Sequence, residues 1–246
     1  MLSIIYYPKV TLIGASEFKE PEHMPVNFLG GASDPEKLVE FGGRLCYMSQ
    51  KNPANRETAQ YIENILKQKH GSVLEHAVFT LLLEGISRSC THELVRHRAG
   101  FGYSQLSQRY VDESQCSFVV PPAIISNEKL VNAWIRAVKD SQNHYIELVN
   151  KLMEQYSDME DKVLRRKIAR EAARSVLPNS VETKIVVTGN ARAWRTMLEL
   201  RCGEHADKEI RRLSLQILVV LQKHSPALFG DFEIMGDSAI PKYSKV

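Results

Sequence analysis

Apolar side chains recur at helical spacing through most of residues 127–176, and this periodicity constrains the fold more than any other feature of the chain. It predicts one helix over 127–159 and another over 161–176. The second is stopped by Leu177-Pro178, because the residue before a proline is pushed out of helical geometry. Helices this long expose part of their surface and bury the rest against a second layer. Three short segments supply strands for that layer: 2–13, mixing β-branched and aromatic residues; 78–84, apolar and β-branched at its start; and 183–188. Ser33-Asp34-Pro35 starts a helix whose apolar stripe takes in Leu38, Val39 and residues 42–45, and 57–68 forms another with Ile62, Ile65 and Leu66 on one face. Residues 86–95, 191–200 and 204–223 follow the helical period too, the last through Ile210, Leu213, Ile217 and Leu221. Residues 21–25, with Gly30 and Gly31, read as a loop. The expected fold is α/β (α+β): a single domain over 1–246 in which a small sheet is flanked by long helices. No internal repeat, low-complexity tract or long linker divides the chain.

A hydrophobic share of 43% with 25% charged residues suits a soluble globular protein. The formal net charge of +3 is too small for a protein that grips nucleic acid through many phosphates, so any basic site is local. The longest apolar runs, 77–83 and 215–221, fall far short of the roughly 20 residues that cross a bilayer, so no membrane association is expected. Cys46, Cys90, Cys116 and Cys202 are scattered, without a Cys-x-x-Cys pair or a secretory leader ahead of them, which fits a reducing cytoplasm.

The local basic site is the segment 96–109. Arg96-His97-Arg98 leads into Ala99-Gly100-Phe101-Gly102 and then Tyr103-Ser104-Gln105-Leu106-Ser107-Gln108-Arg109-Tyr110, a polar run whose two glycines let the backbone bend. On an unbroken helix, positions two apart point about 200° from each other. Arg96 and Arg98 therefore meet one anion only where the helix gives way to a loop. Arginine suits such a site because its planar fork donates paired hydrogen bonds to phosphate oxygens. Taken alone, Arg96-His97-Arg98 reads more readily as a solvated basic face. The serine, glutamines and arginine beyond it turn the reading toward a ligand loop.

A second basic cluster, Asn190-Ala191-Arg192-Ala193-Trp194-Arg195, is followed by Arg201 and His205 at the i, i+4 spacing that shares a helical face. With Glu204, Asp207 and Glu209 close by, an ordinary ion-paired helix is the plainer reading. His70-Gly71-Ser72-Val73-Leu74-Glu75-His76 has two histidines and a glutamate but no cysteine nearby to complete a zinc set. It reads as a hydrogen-bonding loop, and no metal is expected. His92-Glu93-Leu94-Val95-Arg96-His97 nearly matches the zinc-protease motif, but its histidines lie five apart, about 140° around a helix, and do not converge. There is no G-x-G-x-x-G after a strand and no Walker sequence, so a nucleotide would be held by arginines and loop amides.

Together these segments resemble the flavin-dependent thymidylate synthase family, whose signature is Arg-His-Arg, seven residues, then Ser. The likeness runs in order through 43–47, 72–76, 86–94, 96–110, 173–178 and 188–207, nearly the whole chain. Here eight residues, 99–106, separate Arg98 from Ser107, with the extra one among 99–102. At Thr196 family members often carry asparagine or histidine.

The resemblance implies that NADPH reduces FAD, that methylenetetrahydrofolate supplies the one-carbon unit, and that dUMP is reductively methylated to dTMP without a cysteine nucleophile. None of the four cysteines sits beside a histidine in a nucleophile motif, and Cys46 and Cys202 read as packing residues. Carried over by position, Ser72, Arg96, His97, Arg98, Gln105, Asn190, Arg192 and Thr196 would hold FAD. Arg88, Glu93, Arg96, Gln105, Ser107, Gln108, Arg109, Arg174 and Arg201 would bind dUMP, with Arg201 catalytic through stabilisation of the uracil N3 anion. Tyr47 and His205 would neighbour the pocket. The family is homotetrameric, with active sites shared between subunits. One alternative is a flavin-dependent methylase or hydroxymethylase of another pyrimidine nucleotide. Another is a nucleic-acid-binding α/β protein, for which two tryptophans and 8% aromatic residues provide few stacking platforms.

Overall fold

The computed structural model describes residues 2–246. Its strands are β1 (Ser3–Ile5), β2 (Lys9–Ala15), β3 (Val78–Ser87), β4 (Phe101–Gln105), β5 (Ser117–Val119), β6 (Glu182–Asn190), β7 (Phe232–Met235) and β8 (Ser238–Pro241). Its helices are α1 (Asp34–Leu45), α2 (Thr58–Lys67), α3 (Arg88–Leu94), α4 (Glu128–Gln155), α5 (Lys162–Ala173), α6 (Ala191–Arg201), α7 (Lys208–His224) and α8 (Pro226–Phe229). Short 3₁₀ turns occupy Gly71–His76, Pro122–Ile124 and Arg174–Val176. A four-stranded sheet has the order β2-β3-β6-β4, β1 pairs in parallel with β5, and β7 and β8 form an antiparallel hairpin. The expected mixture of helix and sheet is what the chain adopts.

Chain contacts group into two compact units, each drawn from three separate stretches. The first comprises the segment ending at Pro8, Glu84–His92 and Ser104–Ile185; the second comprises Lys9–Leu83, Glu93–Tyr103 and Val186–Val246.

In the first unit the long periodic run folds into α4 and α5, opened by side-chain caps: Asn127 accepts from the Lys129 and Leu130 amides, and Asp161 from those of Val163 and Leu164. Cys116, Phe118, Val138 and Val181 are buried together, with Leu2, Ile4, Trp134 and Leu177 packed against them. In the second unit Phe79, Leu81 and Leu83 alternate inward along β3. The buried faces of α6 (Trp194, Met197, Leu198) and α7 (Ile210, Leu213, Ile217, Leu221) keep the helical period. The α1 terminus is tied down by Glu36, whose carboxylate accepts from the Ser33 amide at 2.7 Å and the Ala227 amide at 2.7 Å. No helix among the described residues is long and apolar enough to cross a membrane.

Several sequence expectations need correction. The strand expected over 2–13 is two strands, because Pro8 carries no amide hydrogen to continue a ladder. The strand from Val78 runs to Ser87, so buried Ile86 belongs to it rather than opening the helix, which begins at Arg88. Residues 101–105 are strand β4, not loop. Finally, α6 stops at Arg201 and α7 begins at Lys208, where the Asp207 carboxylate caps the Glu209 amide. His205 therefore lies in a turn and does not share a helical face with Arg201.

Candidate active site

In the second unit, α3 unwinds after Leu94, with the His97 amide still donating to the Leu94 carbonyl at 3.1 Å. Gly100 then takes a φ of +75°, a left-handed conformation that suits glycine. A Cβ there would come within 2.8 Å of Asn190 Nδ2. Gly100 also accepts a hydrogen bond from the Asn190 amide at 3.2 Å, so the bend sits directly against the end of β6. Asn190 in turn caps α6, its side chain accepting from the Ala193 amide at 2.8 Å. Two turns far apart in the sequence are thereby locked together.

Between them lies a cavity of about 400 Å³, within the range of small-molecule sites, lined by Glu75, His97, Arg98, Phe101, Asn190, Arg192 and Thr196 among others. Arg192 donates to Glu75 at 2.7 Å, whereas the Arg98 guanidinium has no ion pair or side-chain hydrogen bond among the described residues. Phe101 packs edge-on against Trp194 and stacks with Tyr103, giving the cavity a flat aromatic wall. The Tyr103 hydroxyl rests on the carbonyls of Leu94 and His97, holding the bend, and burial pushes its pKa up to about 12.

Arg201, at the last turn of α6, donates from Nε to His97 Nε2 at 3.0 Å and from Nη1 to Glu93 Oε2 at 3.0 Å. Burial first, and then the Arg201 charge, hold the His97 pKa below its ordinary value. The imidazole is therefore neutral, with Nε2 as acceptor and its proton on Nδ1. Burial, with Asp207 nearby, raises the Glu93 pKa against the opposing pull of Arg201.

The first unit carries its own cluster. Arg88, at the start of α3, donates to the Leu106 carbonyl at 3.5 Å. Its pKa is lowered mainly by burial and further by Arg174, with Glu113 opposing. Arg174 itself forms no ion pair among the described residues. Ser107 Oγ accepts the Arg109 amide at 3.3 Å, Gln108 is buried, and the Arg109 guanidinium meets Glu171 at 2.7 Å. The loop is pinned by Arg170, which donates to the Tyr110 carbonyl at 2.6 Å and to Asp112 at 3.1 Å.

Of the residues expected at the flavin, His97, Arg98, Asn190, Arg192 and Thr196 line the cavity, while Ser72, Arg96 and Gln105 do not. Ser72 and Arg96 are exposed nearby in sequence, and Gln105 instead donates to Thr91 and Thr183 hydroxyls at 3.1 and 3.3 Å. Of the residues expected at the nucleotide, Arg88, Gln105, Ser107, Gln108, Arg109 and Arg174 belong to the first unit, and Glu93, Arg96 and Arg201 to the second. Tyr47 is 75% exposed just beyond α1, and His205 is exposed in its turn; neither lines the cavity. Cys202 is buried, as a packing residue should be, but Cys46 is exposed. The sequence gives no sign that Glu75 and Phe101 line this cavity or that Glu113 acts on Arg88; Glu75 reads there only as a candidate metal ligand.

A flavin dinucleotide offers anionic phosphates and flat rings. The unpaired Arg98, the Arg192 side chain, the amides at the start of α6 and the Phe101 face match those two chemistries. The fold and its arginine clusters thus define an α/β protein whose exposed arginine forks, rather than a glycine-rich phosphate loop, are suited to anionic ligands.

A family model described as "Thymidylate synthase complementing protein" matches residues 29–227. A flavin-dependent thymidylate synthase of Mycobacterium marinum is 48% identical over 228 residues, covering 92% of this chain and 90% of that protein. The enzyme of the same name from Mycobacterium tuberculosis is 47% identical over 228 residues, with the same coverage. Among solved structures, a UMP/dUMP methylase from Streptomyces cacaoi bound with 5-Br dUMP shares the fold: the TM-score is 0.68 at 21% identity, over 93% of this chain and 96% of that one. The chain belongs to the flavin-dependent thymidylate synthase family, and it is an enzyme of the methyltransferase class.

Proposed function

We propose that the protein, acting as one domain over 1–246, converts dUMP to dTMP with methylenetetrahydrofolate as carbon donor and NADPH as reductant, on FAD. The observation that carries this reading is the cavity at the start of α6, where Arg98, with no ion pair among the described residues, lies beside Arg192 and Asn190. His97, Arg98, Asn190, Arg192 and Thr196 would hold the FAD, with Ser72, Arg96 and Gln105 as outer contacts. Bound and reduced, FAD supplies the hydride that completes the methyl group.

The chain's own residues do the rest. Arg88, Ser107, Gln108, Arg109 and Arg174 would take the nucleotide, joined by Glu93, Arg96 and Gln105. Arg109 exchanges Glu171 for the phosphate. Arg201 is the catalytic residue: its guanidinium, already fixed by His97 and Glu93, would stabilise negative charge on the uracil at N3 and enrich C5 in electrons. A donor held in place before the reaction needs no reorganisation during it. Tyr47 and His205 would serve as outer neighbours of the pocket. Arg96, Arg98 and Arg174 form no ion pair among the described residues and would be open to phosphates; the assembly would be a homotetramer with shared active sites, as the family resemblance implies. The reaction would run in the cytoplasm.

The test is direct: purified protein should be yellow, and dUMP, methylenetetrahydrofolate and NADPH together should yield dTMP. A second reading, methylation of a different pyrimidine nucleotide, is favoured by one observation. The extra residue of the 99–102 stretch falls in the cavity wall around Gly100. UMP outcompeting dUMP as substrate would establish that alternative.

A further inference from the structure

We propose that Glu113 is a positioning residue for the nucleotide's phosphate, its buried carboxylate holding the Arg88 guanidinium toward that phosphate. The inference rests on the dUMP reading given above and assigns a role to a residue outside the family signature.

Glu113 is only 4% exposed, and its Oε1 has no hydrogen-bond partner. Its main chain cannot swing it into water: its amide donates to the Tyr145 hydroxyl at 3.2 Å, and its carbonyl accepts from the Cys116 amide at 3.1 Å. A buried carboxylate survives in such a place only beside a countercharge. The charged groups facing it are Arg88 from α3, which attracts, and Glu182 from β6 and Asp112 from its own loop, which repel. Gln108, 6% exposed and with an orphan Nε2, lies against it as well. Among the described residues that act on this carboxylate, Arg88 is the offsetting cation, and it is simultaneously repelled by Arg174.

Left to itself, Arg88 would turn away from Arg174. With Glu113 backing it, Arg88 is held against that repulsion while Arg174 forms no ion pair among the described residues, an arrangement that a phosphate dianion completes. Burial pushes the Glu113 pKa up to about 7, so this backing charge is present above neutrality and lost below it.

The test uses the full-length enzyme with Glu113→Gln and Glu113→Asp, measuring dUMP KM, kcat and calorimetric dUMP affinity from about pH 5.5 to 8.5, with bound flavin and Tm as controls. At high pH, Glu113→Gln should raise KM and Kd for dUMP about tenfold with kcat within about twofold, as expected for loss of one charge-assisted contact. The ratio of variant to wild-type KM should fall toward one at low pH, where wild-type Glu113 is itself protonated. Glu113→Asp should recover most of the affinity. An unchanged dUMP affinity at high pH, a defect equally large at low pH, or a fall in kcat alone would overturn the proposal. If Glu113→Gln does not fold, Glu113→Asp must show the wild-type pH dependence of dUMP affinity, and its absence overturns the proposal as well. A wild-type enzyme that binds flavin yet makes no dTMP would sink the underlying reading instead; calorimetry still decides the role of Glu113.

Discussion

Asp231→Asn should be among the most damaging single substitutions outside the ligand sites. Asp231 receives a two-pronged ion pair from Arg195, at 2.5 Å to Oδ1 and 2.8 Å to Oδ2, and the two side chains are 8% and 3% exposed. The same guanidinium donates to the carbonyls of Leu228 at 2.6 Å and Tyr243 at 3.0 Å, and Asp231 also accepts the Tyr243 amide at 3.2 Å. Asparagine keeps the volume, so there is no cavity cost. It leaves the guanidinium buried without its countercharge and turns an amide donor toward it. Breaking a buried pair of this kind costs about 3–5 kcal/mol. For a chain of this size each kcal/mol is worth about 2–4 °C, so Tm should fall by roughly 6–20 °C. The control is Glu63→Gln, which breaks an exposed pair with Lys242 at 2.9 Å and should leave Tm unchanged, because solvent screens it. Arg195 lies on α6 between Arg192 and Arg201, so activity should vanish at a correspondingly lower temperature while persisting below it. Scanning calorimetry of both variants decides the matter: a shift of under about 2 °C for Asp231→Asn would refute the assignment of this pair as the internal clamp on α6.

Other outcomes follow from the same geometry. Arg201→Ala should retain its flavin but lose dTMP formation by about 10²–10³-fold, the usual cost of removing one preorganised donor; absorbance and product assays read the two separately. Gly100→Ala should weaken FAD binding and destabilise by roughly 1–3 kcal/mol, because φ is +75° and the new Cβ meets Asn190 Nδ2 at 2.8 Å; flavin titration and urea unfolding measure both. His97 is held below its ordinary value of 6.5, so the unfolded chain takes up its proton first as pH falls. Its contribution is therefore complete above that value and is lost beneath it. Urea midpoints of wild type and His97→Asn should diverge above about pH 6.5 and converge at lower pH. FAD and dUMP should each raise Tm, by about 2.7 kcal/mol of added stability at a hundredfold excess over Kd.

Much of the fold was legible because the helices declare themselves through period and caps. Asn127, Asp161 and the Ser33-Asp34-Pro35 start lie where the sequence rules put them. Boundaries failed where a tertiary contact outweighed periodicity. Ile86 fits either a helix or an inward strand position, and only burial decides for the strand. The hairpin of β7 and β8 gave no signal, since Glu233, Ile234 and Met235 are all exposed and break the alternation.

Residue identity alone picks out Arg98, Asn190 and Arg192, which the structure places around one cavity. The site was not legible where a role depends on what lies opposite. Glu113 sits in a polar run that reads as surface, and nothing in the sequence announces that its carboxylate is buried. Gln105 has the residue type of a ligand contact, yet it spends its amide on two threonine hydroxyls.

The central claim is that this chain carries flavin chemistry on dUMP, and an anaerobic mixing experiment tests it most directly. Protein reconstituted with FAD and reduced by NADPH is mixed with dUMP and methylenetetrahydrofolate, and flavin absorbance and nucleotide product are followed together. The flavin should be reoxidised as dTMP forms in equal amount, and omission of either substrate should abolish both. Failure to bind FAD, or reoxidation without any methylated nucleotide, would contradict the account.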